Sequence, residues 1–188
     1  MTEREGRLLT KAVMLLLGGL LGKGAGATTL VPADLGELSR DAGAIVRGRV
    51  AAVEPRWTEG RRAIETVVTL TVESTIKGSM TGSAQWTVPG GELGRYRSIV
   101  VGAPQFEVGQ RVIVLLSWHP PRYPYLVGFS QGVFRVTSAA DGSGPVVLAP
   151  PPMPSAVEAP VVRGDAARRP VPLAVFEERL RSLAGNRQ

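Results

Sequence analysis

One short motif of this chain has the spacing of a catalytic site: Gly128-Phe129-Ser130-Gln131-Gly132. G-x-S-x-G marks a nucleophile elbow, in which a strand turns sharply into a helix and exposes the serine hydroxyl beside an oxyanion hole. Here the residues at 133–136 predict a strand after the motif, and the only His, His119, precedes the Ser, whereas hydrolases with this elbow place it later. We therefore interpret the motif as a turn between two strands, and a serine hydrolase that uses Ser130 is a distant alternative.

A second segment has the composition of a binding surface. Trp118, Tyr123 and Tyr125 cluster with Arg122 in a loop that several Pro residues stiffen. Trp, Tyr and Arg are enriched among the residues that dominate binding energy at protein interfaces. The same aromatic cluster could instead pack on itself and cap the end of a sheet, and both interpretations stay open.

The composition excludes most other chemistry. The chain has no Cys, which rules out disulfides, thiol nucleophiles and thiolate metal sites, and its single His rules out a His-rich metal centre formed by this chain alone. The segment Gly90–Arg95 is rich in Gly but lacks the Lys and the helix that follow a phosphate-binding loop, so we predict a flexible connection. We expect no catalytic residue, no metal site and no cofactor.

The N-terminus reads as an export signal over residues 1–27. Arg4, Arg7 and Lys11 precede eleven uncharged residues, Ala12–Gly22, and Ala25-Gly26-Ala27 then gives the small-x-small pattern of a signal peptidase site. Eleven residues are too few to cross a membrane as a helix, which needs about 20. We expect cleavage before Thr28, a periplasmic or extracellular location, and no stable membrane span afterwards.

The charge of the mature chain is only slightly positive. From Thr28 onward it has 18 Lys and Arg residues against 14 Asp and Glu, and Lys77 is its only Lys. No basic stripe with interleaved aromatic residues occurs, which argues against nucleic-acid binding. The expected partner is another exported protein.

Residues 28–149 read as a mainly β domain. A short helix over Asp34–Ala42, capped by Asp34, comes first. Period-two alternation and Val, Ile, Phe and Tyr content then predict strands, at Ile45–Val53, Ile64–Ile76, Ala84–Val88, Ser98–Val101, Arg111–Trp118, Tyr125–Phe129 and Val133–Thr137. Gly48 lies inside the first of these strands and indicates a bulge or a tight corner. So many short strands separated by turn residues favour an antiparallel sheet that is closed or sandwiched.

The C-terminal part divides into a linker and a helix. Residues 150–172 contain seven Pro and predict an extended linker. Within 173–188, Leu173, Phe176, Leu180 and Leu183 recur at helical spacing and predict an amphipathic helix. That helix either docks on the domain or detaches to bind a groove on a partner; docking is the favoured interpretation.

Several stretches occur in a familiar order. After the short helix come Ala42–Val50 (AGAIVRGRV), a long strand that ends in Ile76-Lys77-Gly78, a strand that ends at Val88-Pro89, and Phe106–Val112 (FEVGQRV). This order, over about residues 34–137, resembles the netrin-like domains and in particular the N-terminal domain of the tissue inhibitors of metalloproteinases. The stretch Gly102–Gly109 (GAPQFEVG) is similar to exported bacterial proteins of unassigned function. The resemblance implies a five- to seven-stranded Greek-key barrel of the oligonucleotide/oligosaccharide-binding (OB) shape.

The resemblance also implies a mode of action. In the animal inhibitors the amino group and carbonyl of a first mature Cys chelate the zinc of the protease, and disulfides hold that end in place. Here Thr28 would stand at the matching end, with Thr29 directed to the specificity pocket, and only packing around residues 30–32 could hold it. The expected function is a non-catalytic, exported protein-binding module, with zinc-protease inhibition through the processed N-terminus as its specific form and a structural protein of the cell envelope as the alternative.

Overall fold

The computed structural model describes residues 33–118, 124–150 and 169–185. The predicted export signal, Thr28 and Thr29 lie outside the described residues, as do Arg122 and Tyr123.

The first described element is the short helix α1, Leu35–Asp41. Asp34 caps it, since its carboxylate accepts a hydrogen bond from the Gly36 N–H at 2.9 Å. At the other end, Lys77 Nζ donates to the carbonyl oxygens of Ser39 and Arg40 at 2.8 and 3.0 Å. A cation there stabilises the last carbonyls of a helix. The predicted N-terminal helix is confirmed, and the lysine of the Ile76-Lys77-Gly78 stretch fixes the helix to the end of a strand.

Within the described residues, ten strands follow α1, and the order of the long ones agrees with the alternation in the sequence. Their bounds are β1 Ala44–Trp57, β2 Ile64–Lys77, β3 Ser83–Pro89, β4 Gly91–Leu93, β5 Tyr96–Ser98, β6 Arg111–Ser117, β7 Tyr125–Leu126, β8 Val133–Ser138, β9 Pro145–Leu148 and β10 Val171–Pro172. The last element is the helix α2, Leu173–Gly185.

Two predicted strands differ from the structure. At Ser98–Val101 only Ser98 is in a strand, and Tyr125–Phe129 is a strand only over β7. The predicted linker also ends earlier than expected, because Val171 and Pro172 pair with Val147 and Val146 of β9.

The main sheet is antiparallel, with strand order β10-β9-β8-β6-β1-β2-β3, and β7 pairs with the end of β6. A separate hairpin is formed by β4 and β5. The prediction of a mainly β antiparallel fold is therefore confirmed. The sheet is not strictly a closed barrel, since β3 approaches β7 without pairing with it. The reason is the length of β7: two residues pair with β6, and the chain then enters a 3₁₀ turn instead of forming a ladder with β3.

The sheet buries a hydrophobic core on each face. The first core contains side chains of β1, β2, β3, β6 and β8 together with Phe106, and its centre is the fully buried Trp86. Strand β6 contributes to both cores, and its five central residues are all buried. A continuous apolar run is expected of a strand that is covered on both sides.

The second core lies under the two helices. Leu38 of α1 and Leu173, Phe176 and Leu180 of α2 pack on apolar side chains of β1, β6, β8 and β9. The ring of Phe176 lies 4.9 Å from that of Phe134, centroid to centroid. Helix α2 is therefore docked on the sheet, as the favoured interpretation of its apolar spacing expected.

Gly48 lies at an irregularity in the pairing of β1 with β2. The register between the two strands shifts between Arg47 and Gly48. A Cβ at Gly48 would overlap the carbonyl oxygen of Thr71 and lie 2.9 Å from the Leu70 side chain. The irregularity predicted at this position is present, and only glycine fits it.

Candidate binding surface

The aromatic loop is described at its two ends, Trp118 and Tyr125. Their side chains are 43% and 41% exposed, and Tyr125 is paired with Ser117 in the β6–β7 ladder. The Trp118 ring lies against Gly43, where a Cβ would approach it to 3.3 Å. Each aromatic side chain is thus partly buried against the domain and partly open to solvent. Both the interface and the cap of the sheet therefore stay open as interpretations of this loop.

The G-x-S-x-G motif forms a compact turn between β7 and β8. Ser130 is buried in the 3₁₀ turn Phe129–Gly132, and strand β8 follows directly. Gly128 has a positive φ of 65°, and a Cβ there would overlap the Leu38 side chain of α1. Gln131 Oε1 accepts a hydrogen bond from the Ala33 N–H at 2.8 Å. The motif therefore packs against α1 and binds the residue that precedes its N-cap.

Among the described residues, the most exposed large apolar side chains lie elsewhere, directly after β5. Ile99 and Val101 are each 72% exposed, and Val100 and Tyr96 are 39% and 45% exposed. Together with Trp57 at the end of β1, these residues form what we call the apolar hairpin surface: Trp57, Tyr96, Ile99, Val100 and Val101. Exposed apolar side chains on neighbouring residues mark a candidate interaction site.

The aromatic residues of this surface are held in a stack with two arginines. The Trp57 and Tyr96 rings meet edge to face, with centroids 5.3 Å apart. The Arg61 guanidinium lies 5.6 Å from the Trp57 ring centroid, and that of Arg95 lies 5.1 Å from the Tyr96 centroid. Arg95 also donates to the Tyr96 hydroxyl at 2.9 Å. Cation–π contacts of this kind hold both partners in place.

The β4–β5 hairpin positions this stack. The predicted flexible connection over Gly90–Arg95 is wrong in this respect, because Gly91–Leu93 pairs with Tyr96–Ser98. Thr66 Oγ1 donates to the Gly90 carbonyl at 2.7 Å, and the Gly90 N–H donates to the Ile64 carbonyl at 2.8 Å. These bonds fix the hairpin to β2.

A cleft of about 470 Å³ opens between the hairpin and the main sheet, and we call it the hairpin cleft. Its walls include Val53 and Pro55 of β1, Ile99 and Val100 of the apolar hairpin surface, and Phe106 of the first core. Pockets that bind ligands or side chains of partners commonly have volumes of 300–1,000 Å³ and apolar walls. The hairpin cleft is therefore large enough to accept apolar side chains.

Sequence reasoning missed this surface. Three consecutive apolar residues, Ile99-Val100-Val101, predict a strand over Ser98–Val101, because Val and Ile favour strands. One signal in the sequence could have indicated an exposed surface: the run does not alternate with polar residues, as a half-buried strand does. Its side chains therefore have no predicted place in the core.

Two further features are absent from the part of the chain that the structure describes. Its Asp and Glu side chains form no group of three that could hold a metal ion. Within the same residues, no helix is both long and apolar enough to cross a membrane.

Comparison with family models, with curated proteins and with solved structures finds no match for this chain. The netrin-like resemblance therefore stays a prediction, and the function has to be argued from the surface itself.

Proposed function

We propose that this chain is a non-catalytic module that acts after export and binds another protein through the apolar hairpin surface. The observation that carries the proposal is the 72% exposure of Ile99, which lines the hairpin cleft, and of Val101, two residues further along the chain. Burial of such a side chain in an interface contributes about 1.5–3 kcal/mol, whereas in the free domain it stays in contact with water.

The surface is preorganised for binding. The edge-to-face contact of Trp57 with Tyr96 and the hydrogen bonds of Gly90 with Thr66 and Ile64 hold it in one arrangement before a partner arrives. A rigid surface loses little conformational entropy on association, so more of the contact energy appears as affinity. Trp, Tyr and Arg side chains surrounded by apolar contacts are typical of interface hot spots.

The arginines indicate the chemistry of the partner. Arg61 and Arg95 rest on the aromatic rings and form no ion pair with any residue in the described ranges. A partner segment with an apolar side chain for the hairpin cleft and a carboxylate beside it would satisfy both features. We therefore expect an acidic–apolar segment of a protein as the occupant.

A pair of matched variants tests the proposal. Ile99→Ser with Val101→Ser removes the apolar contacts, whereas Val108→Ser and Val175→Ser change residues of similar exposure, 68% and 58%, that lie outside the surface. Wild type captures its partner from the exported fraction, and the affinity for the purified partner is then measured for each variant. We expect the double variant to bind about 10–100-fold more weakly, since each lost contact is worth about 1 kcal/mol or more.

The outcomes separate the candidate functions. Equal affinity of the double variant and wild type would place binding outside the apolar hairpin surface. Retention of every variant by insoluble envelope material, without a discrete protein partner, would favour the structural alternative. A hydrolytic activity that Ser130→Ala abolishes while the fold stays intact would instead make the chain an enzyme.

Zinc-protease inhibition remains a second candidate, supported by one structural observation. The bond between Ala33 and Gln131 fixes the point at which the N-terminal segment enters the fold. Thr28 comes five positions before Ala33, so the processed end would lie within about 17 Å of this point. Addition of one Ala before Thr28 should abolish inhibition, and intact-mass measurement of exported material should show a chain that begins at Thr28.

A further inference from the structure

A second cleft, also of about 470 Å³, shares no lining residue with the hairpin cleft. It lies where the middle of β1 pairs with the start of β6, beside β8 and β9, and the charged residues that line it are all arginines: Arg49, Arg111 and Arg135. Thr137 and Ser138 add hydroxyl groups to its wall. We call it the arginine cleft.

Each of the three guanidinium groups is held in position. Arg49 Nη1 donates to the Gly109 carbonyl at 3.0 Å, and Arg135 Nη2 donates to the Gln105 carbonyl at 3.2 Å. Arg111 donates through both Nε and Nη2 to one carboxylate oxygen of Glu73, at 3.1 and 2.7 Å. A guanidinium has five N–H donors, so most of the donors of these groups remain available for a ligand.

The positive charge of the cleft is incompletely balanced. Arg49 and Arg111 stand directly opposite each other on neighbouring strands, an arrangement that destabilises a sheet unless a negative charge lies between them. Glu73 supplies one such charge, but it also lies 3.9 Å from Arg47. Arg47 in turn meets Glu177 of α2 at 2.9 Å. Three arginines thus share Glu73, and Arg135 forms no ion pair within the described residues.

Acidic residues of the flanking turns do not neutralise the remaining positive charge of the arginine cleft. Neither Glu107 nor Asp141 lines the cleft. The Asp141 carboxylate accepts a hydrogen bond from the Ser143 N–H at 2.9 Å, and its contacts with Ser143 lower the pKa of that carboxyl. Asp141 therefore stabilises its own turn.

We infer that the arginine cleft binds an oxyanion, such as a phosphate, sulfate or carboxylate group of a small ligand, at a site independent of the proposed protein-binding surface. Planar guanidinium groups match the oxygen atoms of these anions and bind them through paired, charge-assisted hydrogen bonds. A bound anion would satisfy the unused N–H donors and offset the repulsion between Arg49 and Arg111. The volume of the cleft suits a small molecule that carries the anionic group.

The test is a titration of the full mature chain with inorganic phosphate, sulfate and succinate at low ionic strength, followed by NMR. We expect saturable shifts of the amide signals of Gly109, Gln110 and Ser138, and an apparent affinity that falls as sodium chloride is added. Stronger binding of phosphate and sulfate identifies a site for tetrahedral anions, and stronger binding of succinate identifies a carboxylate site. Either result supports the inference, and shifts that do not saturate for any of the three anions overturn it.

Variants assign the binding to the cleft. Arg135→Gln should weaken anion binding about tenfold, equivalent to about 1.4 kcal/mol, and Arg49→Gln should do the same. Both side chains are largely exposed, and Arg111 is left intact because its pair with Glu73 joins two strands. The matched control is Arg179→Gln, an exposed arginine of α2 that does not line the cleft. Equal weakening by the control would show that only the general surface charge attracts the anion, and the inference would then be wrong.

Discussion

Leu180→Ala tests whether helix α2 is part of the cooperative core or an element that detaches to bind a partner. Leu180 is completely buried in the second core, 0% exposed. Burial of a Leu side chain contributes about 1.5–3 kcal/mol, and the cavity that its truncation leaves adds to the loss, so the variant should lose about 2–5 kcal/mol of unfolding free energy. That is a large fraction of the 5–15 kcal/mol that is usual for a domain.

Urea unfolding, followed in parallel by circular dichroism and tryptophan fluorescence, measures this loss. Trp86 lies in the first core, on the face of the sheet opposite to α2, and its buried ring reports on that core. If α2 is integral, Leu180→Ala should lower the midpoint of both transitions equally and leave their slope unchanged. The effect should reach the fluorescence signal although no side chain of the first core is altered.

Val175→Ala is the matched control, on the same helix but 58% exposed. It should change the unfolding free energy by less than about 0.5 kcal/mol, because exposed substitutions seldom do more. The reasoning would be refuted if the two variants were equally stable. It would also be refuted if Leu180→Ala altered the dichroism transition alone, since α2 would then unfold separately and the detachable interpretation would hold.

Three further substitutions should destabilise the fold in the same urea assay. Glu177→Gln removes the carboxylate that lies 2.9 Å from Arg47, whose side chain is 18% exposed. The variant should lose about 1–2 kcal/mol of unfolding free energy, and this loss should be smaller at high salt. Gly48→Ala places a methyl group against the Thr71 carbonyl and should lower the unfolding free energy by about 1–3 kcal/mol. A variant as stable as wild type would contradict this prediction. Lys77→Met removes both hydrogen bonds to the last turn of α1 and should cost about 1–2 kcal/mol, with the loss of helical signal at 222 nm as a second readout.

Local patterns in the sequence predict much of this fold. The alternation of Ile64–Ile76 predicts β2 within one residue, because every second side chain must enter a core. Asp34 caps α1 as predicted, and Leu173, Phe176 and Leu180 form the buried stripe of α2. Each of these signals depends on neighbours that are close in sequence, so periodicity and capping preferences suffice to read them.

Features that depend on distant contacts were not predictable in the same way. Closure of a barrel requires β3 to meet a partner strand, and β7 is too short to supply one although the sequence 125–129 has strand composition. The β4–β5 hairpin is held by the hydrogen bonds that Gly90 accepts from Thr66 and donates to Ile64, which lie more than twenty residues away in the chain. The arginine cleft unites Arg49, Arg111 and Arg135, and their meeting depends on the order of β1, β6 and β8 in the sheet.

The shape of β1 explains why the candidate binding surface lies at the hairpin. No residue of β1 beyond Val50 is buried, yet the strand continues to Trp57. Pairing with β6 ends at Arg49, so this extension pairs only with β2 and leaves one edge open. An open edge can recruit another strand, but Pro55 has no N–H to donate. A partner should therefore contact the side chains of the apolar hairpin surface and fill the hairpin cleft, and should not add a strand to the sheet.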